Sequence, residues 1–255
     1  MAYTIAFSGK GGTGKTTLAG LTVRYLMEKT GRPILAVDAD SNYCLNLALG
    51  VQVHTTIGGI RESSLQSVRS GAQRPGGMST GELFDYEVQQ SIVEAKGFDL
   101  LVMGRPEGPG CYCAANNVIR KYTDKLSQDY AFVVIDAEAG MEHLSRRTEN
   151  NVDIMFTVTD ATVKALETAK RIGALMDELG LKISERHVII NRVRGTDGGE
   201  LKKEADSRGL SVCGFLPEDD KISAIDLSGR PVFDIASDAA VITSFYSILD
   251  NTLKY

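Results

Sequence analysis

Short runs of apolar residues alternate along the chain with longer segments whose apolar residues recur at helical spacing. Residues 132–135 are apolar at every position, which is typical of a strand buried on both faces of a parallel sheet. The predicted strands are residues 3–8, 34–38, 100–103, 132–136, 154–159, 187–191 and 212–216. The predicted helices include residues 15–29, 114–126, 163–178 and 239–253. This alternation predicts one α/β domain over residues 1–255, with a doubly wound, mostly parallel sheet flanked by helices.

One stretch, residues 58–82, carries neither pattern clearly. It contains Arg74-Pro75-Gly76-Gly77 and scattered serines, which are typical of turns and loops. Because the strand pattern resumes afterwards, we expect a mobile surface insertion within the domain.

Composition narrows the class of protein. The 255 residues are 43% apolar and 24% charged, which argues against a disordered chain or a coiled-coil rod. The 28 basic and 33 acidic residues give a net charge of −5, which argues against a globally basic nucleic-acid binder. No apolar run reaches the roughly 20 residues that cross a bilayer, and no secretory leader is evident. We therefore expect a cytoplasmic protein, whose four cysteines are ligands, nucleophiles or core residues rather than disulfides.

A glycine-rich motif follows the first predicted strand and opens the first predicted helix. It reads Gly9-Lys10-Gly11-Gly12-Thr13-Gly14-Lys15-Thr16-Thr17 and satisfies the phosphate-loop pattern. Its glycines let backbone N–H groups converge on phosphate oxygens, and the helix N-terminus adds partial positive charge. We expect Lys15 to contact the β- and γ-phosphates and the Thr16 hydroxyl to bind Mg²⁺. The alternative, a glycine-rich turn without a ligand, does not account for the flanking strand and helix.

The lysine at position 10 distinguishes this loop from an ordinary phosphate loop. It makes the loop G-K-G-G-x-G-K-T-T, which resembles the deviant phosphate loop of the class that contains MinD, ParA and the nitrogenase iron protein. The resemblance implies an ATPase in which Lys10 reaches across a homodimer interface to the partner's nucleotide. The alternative is a solvated surface lysine.

Carboxylates at the ends of two predicted strands fit the same chemistry. Asp38 and Asp40 lie at the end of the second strand, where carboxylates can order Mg²⁺ and the attacking water. The resemblance implies that Asp40 serves hydrolysis, with Asp38 near the magnesium ion; helix capping by Asp40 or Ser41 is the alternative. Asp136 ends an apolar strand and fits a Walker-B carboxylate.

Further positions are assigned through the resemblance. Gly140, four residues after Asp136, corresponds to a switch that senses the γ-phosphate, although an ordinary strand–turn–helix is the alternative. The resemblance also implies that Asn191, followed by Arg192, reads adenine at a strand end. The segment from Pro217 and Glu218 would contact the base through its backbone. Since no aspartate follows Asn191 where guanine-specific relatives carry one, ATP is favoured over GTP.

A candidate metal site lies in a predicted loop rich in glycine and proline. Cys111 and Cys113 are separated by one residue, so their thiolates can face one ion. A thiolate site for a soft or borderline divalent ion normally has four ligands, so the simplest completion is a symmetric dimer that supplies two from each subunit. Two packed cysteines or a redox dithiol are the alternatives, and the spacing suits Zn²⁺ equally.

Together, the deviant phosphate loop and the Gly-Pro-Gly-Cys-x-Cys segment resemble the CooC family of nickel-inserting ATPases for carbon monoxide dehydrogenase. The related AcsF proteins serve acetyl-CoA synthase, and the sequence does not separate the two. The resemblance implies that Cys111 and Cys113 bind nickel at a dimer interface and that ATP binding and slow hydrolysis control the dimer.

Two other classes of ATPase, positioning ATPases and iron–sulfur carriers, share part of this sequence pattern. A MinD or ParA positioning ATPase would need a membrane-binding helix or a basic DNA-binding patch. Lys254 is the only basic residue after Arg230, so the apolar stripe of the last helix indicates core packing. The stripe is Val241, Ile242, Phe245, Ile248, Leu249 and Leu253.

An iron–sulfur carrier is the second rival. Such proteins bridge a cluster across a dimer with separated or C-x-x-C cysteines, unlike the C-x-C spacing here. Of the remaining cysteines, we expect Cys44 to pack on the sheet and Cys213 to be a core thiol.

Overall fold

The computed structural model describes residues 2–70, 77–105, 118, 121–123, 125–126, 128–137, 152–195 and 198–255. The strands are β1 (Tyr3–Gly9), β2 (Ile34–Ala39), β3 (Val93–Ala95), β4 (Phe98–Val102), β5 (Phe132–Ala137), β6 (Val152–Asp160), β7 (Ile183–Val193) and β8 (Val212–Pro217). The helices are α1 (Lys15–Thr30), α2 (Leu45–Leu49), α3 (Ile57–Ser70), α4 (Thr80–Gln90), α5 (Val163–Glu178), α6 (Gly198–Asp206), α7 (Asp220–Ser228) and α8 (Ala240–Thr252).

The strands of the described residues form one eight-stranded sheet in the order β3-β4-β2-β5-β1-β6-β7-β8. Only β3 and β4 pair in antiparallel fashion, while the remaining neighbours are parallel. The central strands β2 and β5 are buried at every position, and their sequences are apolar except for one aspartate each, Asp38 and Asp136. The predicted fold class, a doubly wound and mostly parallel α/β sheet, is confirmed.

Helices cover both faces of the sheet, and alternate strand residues supply the two cores. Ile5 and Phe7 of β1 belong to one core, together with apolar residues of α1 and α8. Ala6 faces the other core, which contains residues of α3, α4 and α5. The stripe of the last helix packs as expected: Phe245 and Leu249 are fully buried. Among the described residues, no helix combines the length and apolarity that crossing a membrane requires.

The structure differs from the sequence prediction at one edge and in the inserted segment. The three-residue strand β3 was not predicted, because so short a run carries little periodicity. Residues 58–70 belong to α3, and α4 begins with a capping box between Ser79 and Glu82. The predicted insertion is therefore helical over residues 58–70 and from Thr80 onward. Its mobility stays a prediction, as does the assignment of residues 1–255 to a single domain. The predicted helix 114–126 lies largely outside the described residues.

The parallel arrangement brings the carboxyl ends of the central strands to one edge. β1 leads there into the glycine-rich loop, and Asp38, Asp136 and Asn191 lie in the last residues of β2, β5 and β7. In a doubly wound sheet this edge is where ligands bind.

Candidate functional site

The glycine-rich loop joins β1 to α1 at the centre of the sheet. A side chain at position 9 would place its Cβ only 2.2 Å from the carbonyl oxygen of Val158, so the loop can start here only with glycine. Gly14, at the N-cap of α1, has φ = 96° and gives the helix no side-chain cap. The first N–H groups of α1 are therefore available to an anion, and the loop fits a polyphosphate.

Thr16 and Asp136 meet directly beneath this loop. The Thr16 hydroxyl donates to Asp136 Oδ2 over 2.6 Å. The other carboxylate oxygen, Oδ1, is buried and has no hydrogen-bond partner among the described residues. Burial raises the pKa of Asp136 to about 6, while the Thr16 hydrogen bond and the Lys15 charge act in the opposite direction. An unpartnered oxygen beside a hydroxyl suits Mg²⁺, which prefers oxygen ligands, so the residues fit the predicted ion.

Asp38 lies opposite Asp136 in the β2–β5 register and is fully buried. Its Oδ2 accepts from the backbone N–H groups of Cys44 (2.9 Å) and Leu45 (2.8 Å), and its Oδ1 accepts from that of Asp40 (3.1 Å). Burial, followed by the charge of Asp136, raises the pKa of Asp38 to about 7. Asp38 thus holds the turn that carries Asp40.

The predicted roles of Asp38 and Asp40 toward magnesium and water stay predictions. The alternative of helix capping by Asp40 or Ser41 is wrong for α2, which begins at Leu45. Asp40 Oδ1 instead accepts from the N–H of Asn42 over 2.8 Å. The acceptor at the start of α2 is Asp38, whose Oδ2 receives the N–H groups of Cys44 and Leu45.

Lys10 is exposed at the outer side of the loop. No carboxylate among the described residues forms an ion pair with its ammonium group. Its carbonyl oxygen accepts from the Thr13 hydroxyl over 2.9 Å, which fixes the local turn. This position agrees with a side chain that reaches a second molecule, and the role across a dimer stays a prediction.

The residues predicted to contact the base come together beside the phosphate loop. A small cavity of about 50 Å³ is lined by residues of the loop, α1, β7, β8 and α7. From the predicted set it includes Gly14, Thr17, Asn191, Arg192, Pro217 and Glu218. The two β7 residues also contact the phosphate loop, which the sequence did not predict. Asn191 Nδ2 donates to Thr13 O (2.9 Å), and Arg192 Nη1 donates to Gly12 O (2.7 Å). Adenine recognition by Asn191 stays a prediction.

The metal-binding prediction falls on residues outside the described ranges. These are Cys111 and Cys113, and the same holds for the predicted switch residue Gly140. Within the described part of the chain, no group of three or more His, Cys, Asp or Glu side chains could hold a metal ion.

The segment that leads to the cysteine pair begins at the end of the sheet where the phosphate loop lies. The N–H of Met103, just after β4, donates to the carbonyl oxygen of Asp38 over 2.8 Å. Gly104 follows with φ = 63° and lies against Thr56, where a Cβ would be 2.4 Å from the threonine hydroxyl. The described chain before the cysteine pair is therefore fixed to the residue that also holds the Asp40 turn.

The two other cysteines, Cys44 and Cys213, lie within the described residues and differ in exposure. Cys44 is exposed, so its predicted packing on the sheet is wrong. The chain leaves the sheet after Ala39, and the turn held by Asp38 directs residue 44 outward. Cys213 is partly buried and packs against the core, and burial raises the pKa of its thiol to about 12.

Comparisons with known proteins agree with this geometry. Residues 4–232 match the family described as the CobQ/CobB/MinD/ParA nucleotide binding domain. An uncharacterised ATP-binding protein of Methanocaldococcus jannaschii is 43% identical over 250 residues, covering 98% of each chain. The carbon monoxide dehydrogenase accessory protein CooC of Rhodospirillum rubrum is 31% identical over 244 residues, covering 91% of this chain and 90% of CooC.

A solved structure supports the fold independently. The septum site-determining protein MinD of Pyrococcus horikoshii, complexed with Mg-ADP, superposes with a TM-score of 0.66 at 21% sequence identity. The alignment covers 100% of this chain and 97% of that one. With the phosphate loop, the Thr16–Asp136 hydrogen bond and a family match over most of the chain, this protein belongs to the CobQ/CobB/MinD/ParA nucleotide-binding family and is a P-loop ATPase.

Proposed function

We propose that this ATPase is a nickel chaperone that inserts Ni²⁺ into the active-site cluster of carbon monoxide dehydrogenase or, alternatively, acetyl-CoA synthase. The observation that carries the proposal is the double attachment at Asp38. Its side chain holds the turn of Asp40, and its carbonyl oxygen holds Met103, which precedes the cysteine segment. The 31% identity to CooC, a carbon monoxide dehydrogenase accessory protein, supports the choice of client.

Hydrolysis would use the residues around the loop in distinct ways. Lys15 and the first N–H groups of α1 bind the β- and γ-phosphates, while Thr16 and Asp136 hold Mg²⁺. Bound Mg²⁺ would neutralise phosphate charge as it develops on the leaving group. Asp40 orients the water that attacks the γ-phosphorus as the bond to ADP breaks. In this scheme the protein positions the reactants and forms no covalent intermediate, and we expect the ATPase to be slow.

The nickel ion is the cargo in this proposal. Cys111 and Cys113 from each of two subunits would supply four thiolates, so metal promotes the dimer by linkage. Lys10, exposed at the loop, would complete the partner's nucleotide site. ATP-driven closure then changes the geometry of the shared thiolates and releases the ion to the client.

Anaerobic nickel titration with and without ATP tests the proposal. The wild-type protein should bind one Ni²⁺ per dimer, with a sulfur-to-nickel charge-transfer band that ATP weakens. The double variant Cys111→Ser/Cys113→Ser should lose nickel yet still hydrolyse ATP. Lys15→Ala should bind nickel but neither hydrolyse ATP nor release the ion. Cys44→Ser is the matched control, because its exposed thiol lies outside the cysteine segment.

Two results would overturn the proposal. The first is a double variant that still binds one nickel per dimer with unchanged affinity. The second is a brown, iron-containing protein after anaerobic purification, which would indicate an iron–sulfur carrier.

A MinD-type positioning ATPase is the second candidate, favoured by the structural similarity to MinD. Membrane attachment by such a protein needs an apolar helix face that is free to enter lipid. In α8 that face is occupied, since Ile242, Phe245 and Leu249 are 1% exposed or less and pack in the core. Co-sedimentation with anionic vesicles in the presence of ATP would favour this candidate.

A further inference from the structure

Two side chains from the end of β7 hold the phosphate loop by its carbonyl groups. Asn191 Nδ2 donates to Thr13 O over 2.9 Å, and this bond is buried. Arg192 Nη1 donates to Gly12 O over 2.7 Å. The two residues are also joined to each other, because the Arg192 N–H donates to Asn191 Oδ1 over 2.9 Å. We call this pair of contacts the carbonyl clamp.

The backbone of β7 is irregular at the residues that form the clamp. Between Ile190 and Val193 the register with β8 shifts by one residue, as in a β-bulge. Arg192 lies in this irregular step with φ = 56°, and it is the one non-glycine residue of the described chain with a positive φ. Such a conformation is unfavourable for an arginine and is found where surrounding contacts impose it.

A carboxylate on the neighbouring strand also lies near the arginine. Asp160, the register partner of Asn191 on β6, has its Oδ1 3.9 Å from Arg192 Nη1. That oxygen is buried and has no hydrogen-bond partner among the residues the structure covers. The guanidinium group thus lies between a carboxylate on β6 and a carbonyl of the loop, and the hydrogen bond to the carbonyl is the closer contact.

We propose that the carbonyl clamp presets the phosphate loop and that Arg192 is a positioning residue for phosphate binding, not a contact to the base. In a planar trans peptide the C=O and N–H groups point in opposite directions. Holding Gly12 O and Thr13 O outward therefore turns the N–H groups of Thr13 and Gly14 inward. The Thr13 N–H makes only a long 3.4 Å contact with Lys10 O, so it is available to a phosphate oxygen.

The inference rests on the proposed ATPase, and a ligand without a base separates the two kinds of contact. Binding of Mg²⁺-tripolyphosphate, ATP and GTP is measured by calorimetry for wild type, Arg192→Asn and Arg192→Lys. Asparagine tolerates a positive φ but is too short to reach Gly12, so the backbone is retained while the clamp contact is lost. Arg186→Asn is the matched control, because Arg186 lies on the same strand and pairs with Asp177 instead.

The expected result is a common loss for all three ligands. Arg192→Asn should weaken tripolyphosphate, ATP and GTP each by about tenfold, as for one charge-assisted hydrogen bond, and leave the ATP-to-GTP ratio unchanged. Arg192→Lys, which keeps a charged donor, should recover part of the loss, and Arg186→Asn should change none of the three.

Two results would overturn the clamp. If Arg192→Asn weakens ATP but leaves tripolyphosphate unchanged, the arginine contacts the nucleoside. If none of the three ligands is affected, the loop keeps its shape without the arginine. A wild-type protein that binds these ligands but takes up no nickel contradicts only the proposed cargo, so the two failures can be distinguished.

Discussion

Asp38 and Asp136 face each other on adjacent strands, yet their surroundings differ. Asp38 accepts three backbone hydrogen bonds, from Asp40, Cys44 and Leu45. Asp136 accepts one, from Thr16, and keeps a buried oxygen without a partner in the described chain. Both side chains are at most 2% exposed. The same residue type, at matching positions, is satisfied at the end of β2 and left incomplete at the end of β5.

This difference separates a structural carboxylate from a reactive one. A buried charge with several N–H partners stabilises the fold around it, and removing it leaves those donors unpaired. A buried charge with a missing partner costs stability, so its retention points to a ligand that completes it. Substitutions at the two positions should accordingly have opposite effects on stability.

The largest expected effect is at Asp136. Asp136→Asn should lower ATP hydrolysis on the order of 10³-fold, as when a charged group that stabilises a transition state is removed. The nucleotide-free protein should be at least as stable as wild type, because a buried charge facing Asp38 is gone. Phosphate release and urea unfolding measure the two quantities. A loss of both activity and stability would remove the distinction between the two aspartates.

At Asp38, by contrast, we expect substitution to lower the stability of the fold. Asp38→Ala should lower the free energy of unfolding by about 3 kcal/mol, because it leaves backbone donors at the start of α2 unpaired. Asp38→Asn, which keeps one acceptor oxygen, should cost about half as much. Urea denaturation provides the measurement, with the exposed Asp238→Ala as control. Equal stability of Asp38→Ala and wild type would show that water satisfies the donors instead.

A smaller effect is expected from the single partner of Asp136. Thr16→Val removes the hydroxyl that donates to Asp136 and would bind Mg²⁺, so the Mg²⁺ dependence of ATP binding should weaken about tenfold. Thr16→Ser retains the hydroxyl and should stay close to wild type. Titration of Mg²⁺ at fixed ATP distinguishes them. If valine and serine behave alike, the hydroxyl does not contribute to the ion site.

Much of the fold and the position of the site could be predicted because they depend on local sequence. Continuous apolar runs such as that of β5 identify buried parallel strands, and the glycine pattern identifies the loop. The sequence also carries a signal for the start of α4 that was missed, because Ser79 and Glu82 have the spacing of a capping box. The glycines and serines nearby concealed that signal.

The rest depends on contacts between distant segments. Nothing in the sequence near Asp38 says that its oxygens are taken by the turn up to Leu45, nor that Cys44 is thereby directed to solvent. The role of Arg192 likewise requires a one-residue register shift between β7 and β8. Periodicity identifies an element and its buried face, but it does not specify where a strand changes register or which donors a carboxylate meets.

The two edges of the sheet bear on how copies of the protein could associate. β3 has three residues, with Glu94 exposed, and β8 ends at Pro217, which has no N–H to offer. Short, charged or proline-containing edges discourage the addition of another strand and hence fibrous aggregation. Association through side chains would then be favoured over an extended backbone ladder. A contact of that kind can be tuned residue by residue, which would suit the ATP-controlled dimer that we propose.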